Sequence, residues 1–184
     1  MNAFWSYFWP AFGLGVIFGI LAGAVAFRVR IVRDPERPHE PTLFARPRRK
    51  RYALLAAGVV ATLVAAALWH GPFGAADRLA TKIQQDARLA LMNNEAPAGM
   101  TAQIHHAPLT RQLILSGPGD DFQRAEAARL LDLIPGVSDA SWTRTLGIPL
   151  IVEGMAAALL GFLFGLLVAY LVELRRRYNS QWNW

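Results

Sequence analysis

The sequence predicts an integral membrane protein with three transmembrane α-helices and one small α/β domain outside the bilayer. Three observations carry that fold class. Residues 1–27, 52–76 and 154–172 contain no Asp, Glu, Lys or Arg. Net positive charge is confined to two segments that abut the ends of these runs. Between the second and third runs, residues 77–144 change to the periodicities of amphipathic helix and strand. With 184 residues the chain has room for three spans and one small domain.

Residues 1–27 form the predicted first helix. The run exceeds the roughly 20 residues that cross about 30 Å of hydrocarbon. It lacks a basic n-region and is longer than a usual h-region, so it is read as a retained span and not a cleaved signal. Phe4, Trp5, Tyr7, Phe8 and Trp9 crowd its first turns, as interfacial aromatic anchors do. Gly15, Gly19 and Gly23 recur every four residues and share one face. The third predicted helix, residues 148–174, repeats the pattern with Gly161 and Gly165. In lipid no hydrophobic force acts between helices, so close backbone approach through small residues drives much of the packing. These grooves serve either the protein's own helices or the helices of another subunit.

Residues 28–51 carry nine basic and three acidic residues, together with Pro35, Pro38, Pro41 and Pro47. That composition predicts an extended loop without a core of its own. Its cluster Arg46, Arg48, Arg49, Lys50 and Arg51 suits anionic phospholipid headgroups or an acidic partner face. The second helix is placed at residues 52–73, with an apolar core from Ala53 to Trp69 near the short end of the spanning range. Residues 77–144 balance seven basic against eight acidic residues, and the tail at 175–184 opens with Arg175, Arg176 and Arg177.

Positive charge on one side sets orientation. The loop 28–51 and the C-terminus are therefore expected in the cytoplasm, with the N-terminus and residues 77–147 outside. The Ala-, Arg- and Gly-rich composition suits a GC-rich bacterium, which makes the membrane the inner one and the outer side the periplasm. Charge placed in this way argues against a nucleic-acid partner. The lack of cysteine excludes disulfides and thiolate metal sites.

Within residues 77–144, Leu79, Ile83, Ala87, Ala90 and Leu91 keep helical spacing, and Asn93-Asn94 with Pro97 and Gly99 end that helix. Met100–Ala107 and Gln112–Gly117 read as strands joined by a turn containing Pro108. Asp120 or Asp121 is placed to cap a second helix, Phe122–Ile134, which Pro135-Gly136 ends. Val137–Trp142 completes the unit as a last strand.

This helix–strand–strand–helix–strand order resembles the BON domain family. The resemblance rests on Leu79, Ile83 and Leu91, on Ala102 and Ile104, on Leu113-Ile114-Leu115-Ser116-Gly117, and on Arg124, Ala127-Ala128, Leu131 and Ile134-Pro135-Gly136-Val137. It implies a small α/β module of the bacterial envelope that binds phospholipid surfaces or partner proteins and does not catalyse. Two departures favour a fixed platform over a freely moving lipid binder. Membrane spans tether this unit at both ends, and Ala107-Pro108-Leu109-Thr110 replaces the family's glycine turn.

Candidate chemistry is sparse. His105 and His106 are adjacent in a strand and point to opposite faces, and no acidic residue stands at ligand spacing, so no metal site is expected there. His39 lies in the Pro/Arg loop. His70 ends the second apolar run with Ala66 four positions before it, a pattern similar to the pigment-binding histidines of light-harvesting polypeptides. Haem or bacteriochlorophyll ligation through His70 is the cofactor reading; otherwise no cofactor is expected. Glu153 has no basic neighbour in sequence and is placed at the start of the third span, where an acidic group suits a helix N-terminus. Glu173 is expected to pair with the arginines that follow it. No nucleophile–base set or phosphate loop indicates an enzyme.

The expected function is that of a non-catalytic accessory subunit of a bacterial inner-membrane complex, respiratory or photosynthetic. Glycine-lined helices would dock against partner subunits, residues 77–144 would cap them on the periplasmic face, and Trp182 and Trp184 would anchor the tail. The alternative is a membrane-tethered module for envelope maintenance that binds phospholipid surfaces.

Overall fold

The computed structural model describes residues 3–34, 37–144 and 147–182. The chain is mostly helical, with three helices long and apolar enough to cross a membrane. These are α1 (Ala3–Ala26), α2 (Arg48–His70) and α5 (Leu150–Trp182). Contacts divide the chain into two compact units: residues 1–10 with 67–154, and residues 11–66 with 155–184.

The first unit holds the α/β domain. Its order is α3 (Ala75–Asn93), β3 (Thr101–His106), β4 (Leu109–Ser116), α4 (Asp121–Asp132) and β5 (Asp139–Ser141). The sheet order is β3-β4-β5, with β4 antiparallel to β3 and parallel to β5. A parallel neighbour requires a crossover, and α4 supplies it. Ile104 pairs with Leu113 and Ala102 with Leu115, which puts these four side chains on one sheet face. Ile104, Leu113 and Leu115 join Leu79, Ile83 and Ala87 of α3 and Ala127 and Leu131 of α4 in a buried core.

Local signals in the sequence explain the element ends. Asp120 caps α4 through its side chain on the Gln123 amide at 2.7 Å, and the Gln123 side chain returns a bond to the Asp120 amide at 3.1 Å. This capping box satisfies two amides that the first turn leaves open. Gly136 has φ of 108° and lies against Ile83, so the chain turns there in a conformation that side chains rarely adopt. The turn from β3 to β4 contains a cis Ala107–Pro108 peptide.

The second unit contains most of the three long helices and a short ribbon. Residues 28–51 are not one unpaired loop: β1 (Arg30–Asp34) and β2 (Arg37–Phe44) pair antiparallel. Both strands are edges, where proline is tolerated because its missing N–H is not needed by a neighbour. Helix α2 starts at Arg48, ahead of the apolar run, because Arg and Lys are good helix formers and the Pro47 carbonyl accepts the Arg51 amide at 3.2 Å. It stops at His70, before Gly71-Pro72. Helix α5 continues through Arg175–Arg177 to Trp182, beyond the boundary that apolarity alone set at 174. Glu173 bonds to Arg176 at 3.0 Å and Arg177 at 3.3 Å, the (i, i+3) and (i, i+4) pairs that sustain a helix past its apolar part.

Candidate functional site

In the first unit, the opening turns of α1, the last turn of α2 and the first turn of α5 meet the α/β domain in one polar cluster. Tyr7 is 2% exposed although its aromatic neighbours suggest an interfacial anchor. Its hydroxyl is 2.7 Å from His70 Nδ1 and 3.4 Å from the Leu150 carbonyl. Trp69 Nε1 donates to the Tyr7 carbonyl at 3.2 Å. A methyl group at Gly154 would stand 2.6 Å from the Tyr7 hydroxyl, so glycine there admits the ring. Trp5 and Trp9, by contrast, remain exposed. The aromatic residues therefore divide between a buried and an exposed face of α1.

Arg111 of β4 forms the second half of the cluster. It donates from Nε to Glu153 Oε2 at 2.6 Å and from Nη2 to Oε1 at 3.1 Å, a bidentate pair. Its Nη1 reaches the Gly136 carbonyl at 3.3 Å, and its head lies 5.4 Å from the Phe4 ring centre and 6.0 Å from that of Phe8. Both side chains of the pair are 18% exposed. Glu153, without a basic neighbour in sequence, thus has one in space. The pair ties the middle strand of the sheet to the first turn of α5.

Chemically, this cluster positions groups and offers one candidate ligand. The Leu150 carbonyl only accepts, so Tyr7 can donate to it only if His70 Nδ1 carries the hydrogen. Such a histidine has its remaining lone pair on Nε2, the nitrogen through which it would hold a metal. His105 Nδ1 is 2.8 Å from the Pro108 carbonyl. Among the described residues, no three His, Asp or Glu side chains gather around one point.

The predicted helix grooves lie in the second unit and are filled from within the chain. A methyl at Gly15 would strike the Ala158 carbonyl, and one at Gly19 would strike that of Phe162. A methyl at Gly161 would strike the Phe12 carbonyl, and one at Gly165 that of Val16. Gly23 faces the Ala169 methyl. Helices α1 and α5 therefore present their glycines to each other. The reading in which these residues meet a foreign helix is replaced, because each groove already contains the other helix's backbone. Helix α2 packs through Gly58, Thr62 and Ala66, a second four-residue repeat of small residues. Thr62 is fully buried and donates to the Gly58 carbonyl at 2.8 Å. That spacing was visible in the sequence but contains one glycine, where the α1 repeat has three and the α5 repeat two.

The basic cluster divides. Arg48, Arg49, Lys50 and Arg51 form the first turn of α2, whereas Arg46 precedes the helix. Four cations at a helix N-terminus oppose the macrodipole, so the helix itself does not explain them. At the other end of the chain, Glu173 accepts the Val29 amide at 3.1 Å, Arg176 donates to the Val29 carbonyl at 2.5 Å, and Arg177 to that of Phe27 at 3.0 Å. These bonds satisfy backbone groups of Phe27 and Val29, just beyond the end of α1. The anchor residue Trp184 and the side chain of Trp182 lie outside the described residues.

Compared with protein-family models, curated proteins and solved structures, the chain finds no match in any of the three.

Proposed function

We propose that this protein is a non-catalytic accessory subunit of a bacterial inner-membrane complex, with residues 77–144 as a BON-like periplasmic platform for a partner protein. The observation that carries the reading is the fixed mounting of that domain together with its apolar surface. Arg111–Glu153 holds the sheet to α5, and the Tyr7 cluster joins the ends of α1, α2 and α5. A module that works by moving over a lipid surface has no need of such ties. On the domain, outside the long apolar helices, Phe122 is 79% exposed, and Met92 and Leu133 are each 69% exposed. Phe122 borders a cleft lined by Leu91, Pro97, Met100, Ala127 and Leu130. An exposed aromatic ring beside an apolar cleft suits a protein contact. The helix–strand–strand–helix–strand order supports the BON resemblance. The basic segments 28–51 and 175–184 support the orientation with both in the cytoplasm.

The test is purification of the tagged chain in mild detergent, with mass spectrometry and an absorption spectrum of the eluate. Stoichiometric recovery of membrane subunits, lost in Phe122→Glu, supports the reading. Migration at monomer mass refutes it and leaves phospholipid-surface binding to be tested with anionic vesicles. A second reading, haem or bacteriochlorophyll on His70, is favoured by the Nδ1 contact to Tyr7, which orients the ring. A colourless eluate ends it.

A further inference from the structure

The second unit contains two clefts that share residues and differ in chemistry. The first, about 610 Å³, is lined by four arginines, Arg28, Arg30, Arg46 and Arg176, together with Phe44. The second, about 230 Å³, runs along α1 and α5 past Ile20, Ala24, Val168 and Val172. Arg28 and Arg176 line both. Glu173, which lines the second cleft, is buried and already engaged by the Val29 amide and by Arg176 and Arg177. Among the described residues, no acidic side chain lines the first cleft.

We propose that these clefts together form a binding site for one anionic diacyl phospholipid. The phosphate is held by Arg28, Arg30, Arg46 and Arg176, and one acyl chain lies along Ile20, Ala24, Val168 and Val172. Guanidinium groups gathered around one cavity favour an anion there, Arg176 less than the others because Glu173 already accepts from it, and their planar forks match phosphate oxygens. Arg176 is pre-positioned by its bond to the Val29 carbonyl, so less freedom is lost when it binds. A water-soluble phosphate would fit the first cleft but would leave the second without a function. A cationic cleft that shares Arg28 and Arg176 with an apolar one offers the two chemistries of an amphiphile. Of the five basic residues that the sequence marks at 46–51, only Arg46 belongs to this site; the other three arginines come from positions 28, 30 and 176. The site is separate from residues 77–144 and from any lipid binding by that domain.

The inference rests on the membrane-embedded reading, which is checked first by flotation of the full chain with phosphatidylcholine vesicles. Failure to float overturns both. The full chain in mild detergent is then titrated with dioleoylphosphatidylglycerol, dioleoylphosphatidylcholine and inorganic phosphate, with bound lipid counted by native mass spectrometry. One phosphatidylglycerol per chain should be retained in preference to phosphatidylcholine. Arg28→Gln/Arg46→Gln should weaken its retention about a hundredfold, the loss of roughly one charged hydrogen bond at each position. Ala24→Trp, which fills the apolar cleft, should weaken phosphatidylglycerol about tenfold; Val172→Phe is the second cleft-filling variant if Ala24→Trp lowers the melting temperature. Equal retention of the two lipids, or an unchanged arginine variant, overturns the site. Displacement of phosphatidylglycerol by millimolar phosphate, with no effect of the cleft-filling variants, overturns the lipid in favour of a free anion.

Discussion

Replacing Arg111 with methionine keeps the apolar stem of the side chain beside Phe4 and Phe8 and removes its charged head. Glu153 then loses both guanidinium bonds, at 2.6 and 3.1 Å, while the Gly136 carbonyl loses its donor. A fully exposed pair contributes about 0–1 kcal/mol, and breaking a fully buried one costs about 3–5 kcal/mol. With both side chains 18% exposed, the expectation falls between these limits, at about 2–3 kcal/mol after allowance for solvent screening. For a chain of this size that corresponds to a fall in melting temperature of roughly 5–10 °C. The pairwise part is isolated by a double-mutant cycle with Glu153→Gln, read by thermal unfolding in one detergent. The two substitutions should be non-additive by about 1–2 kcal/mol, because each removes the same contact. Amide exchange should rise in β3, β4 and β5, which the pair ties to α5. Additive effects, or single variants that melt within about 1 °C of the parent, would refute the claim that this pair mounts the domain.

Other substitutions test the remaining contacts. Gly161→Ile should cost at least about 3 kcal/mol, since the group it strikes is the Phe12 backbone and not a movable side-chain tip. Gly13→Ala meets nothing within 4 Å and should melt within about 0.5 kcal/mol of the parent. Asp120→Ala removes the α4 cap and should lower stability by about 1 kcal/mol, with raised amide exchange at Gln123. The hydrogen bonds that Arg129 donates hold the Glu126 carboxyl below the usual carboxylate range. Its contribution is therefore present above the unfolded value and is lost as pH falls through the folded one. A carboxyl-detected NMR titration should place Glu126 below an unpaired glutamate, and Arg129→Gln should return it to the ordinary value.

The domain's element order was legible because its signals are local. Helical spacing from Leu79 to Leu91, the Asp120 cap and the Pro135-Gly136 stop each act within a few residues. The ribbon at 30–44 was not legible, because pairing joins Arg30 to Phe44 through a proline-rich segment with no apolar alternation. Glu153 shows the same limit more sharply. Its partner is 42 residues earlier in β4, and nothing in the spacing of Arg111 distinguishes it from the other arginines of the domain.

By itself the sequence determined three helices with the length and apolarity to cross a membrane, their small-residue faces, and the α/β unit between the second and third. Those properties follow from periodicity and composition, which act along a few turns of chain. The tertiary structure alone decided that the glycine face of α1 meets α5, with Gly19 against Gly165, that Tyr7 turns inward onto His70, and that Arg28, Arg30, Arg46 and Arg176 surround one cavity. A glycine face states that a backbone can come close but not which one, and a charge states its sign but not its neighbour. Both are settled only when distant segments are brought within a few ångströms of each other.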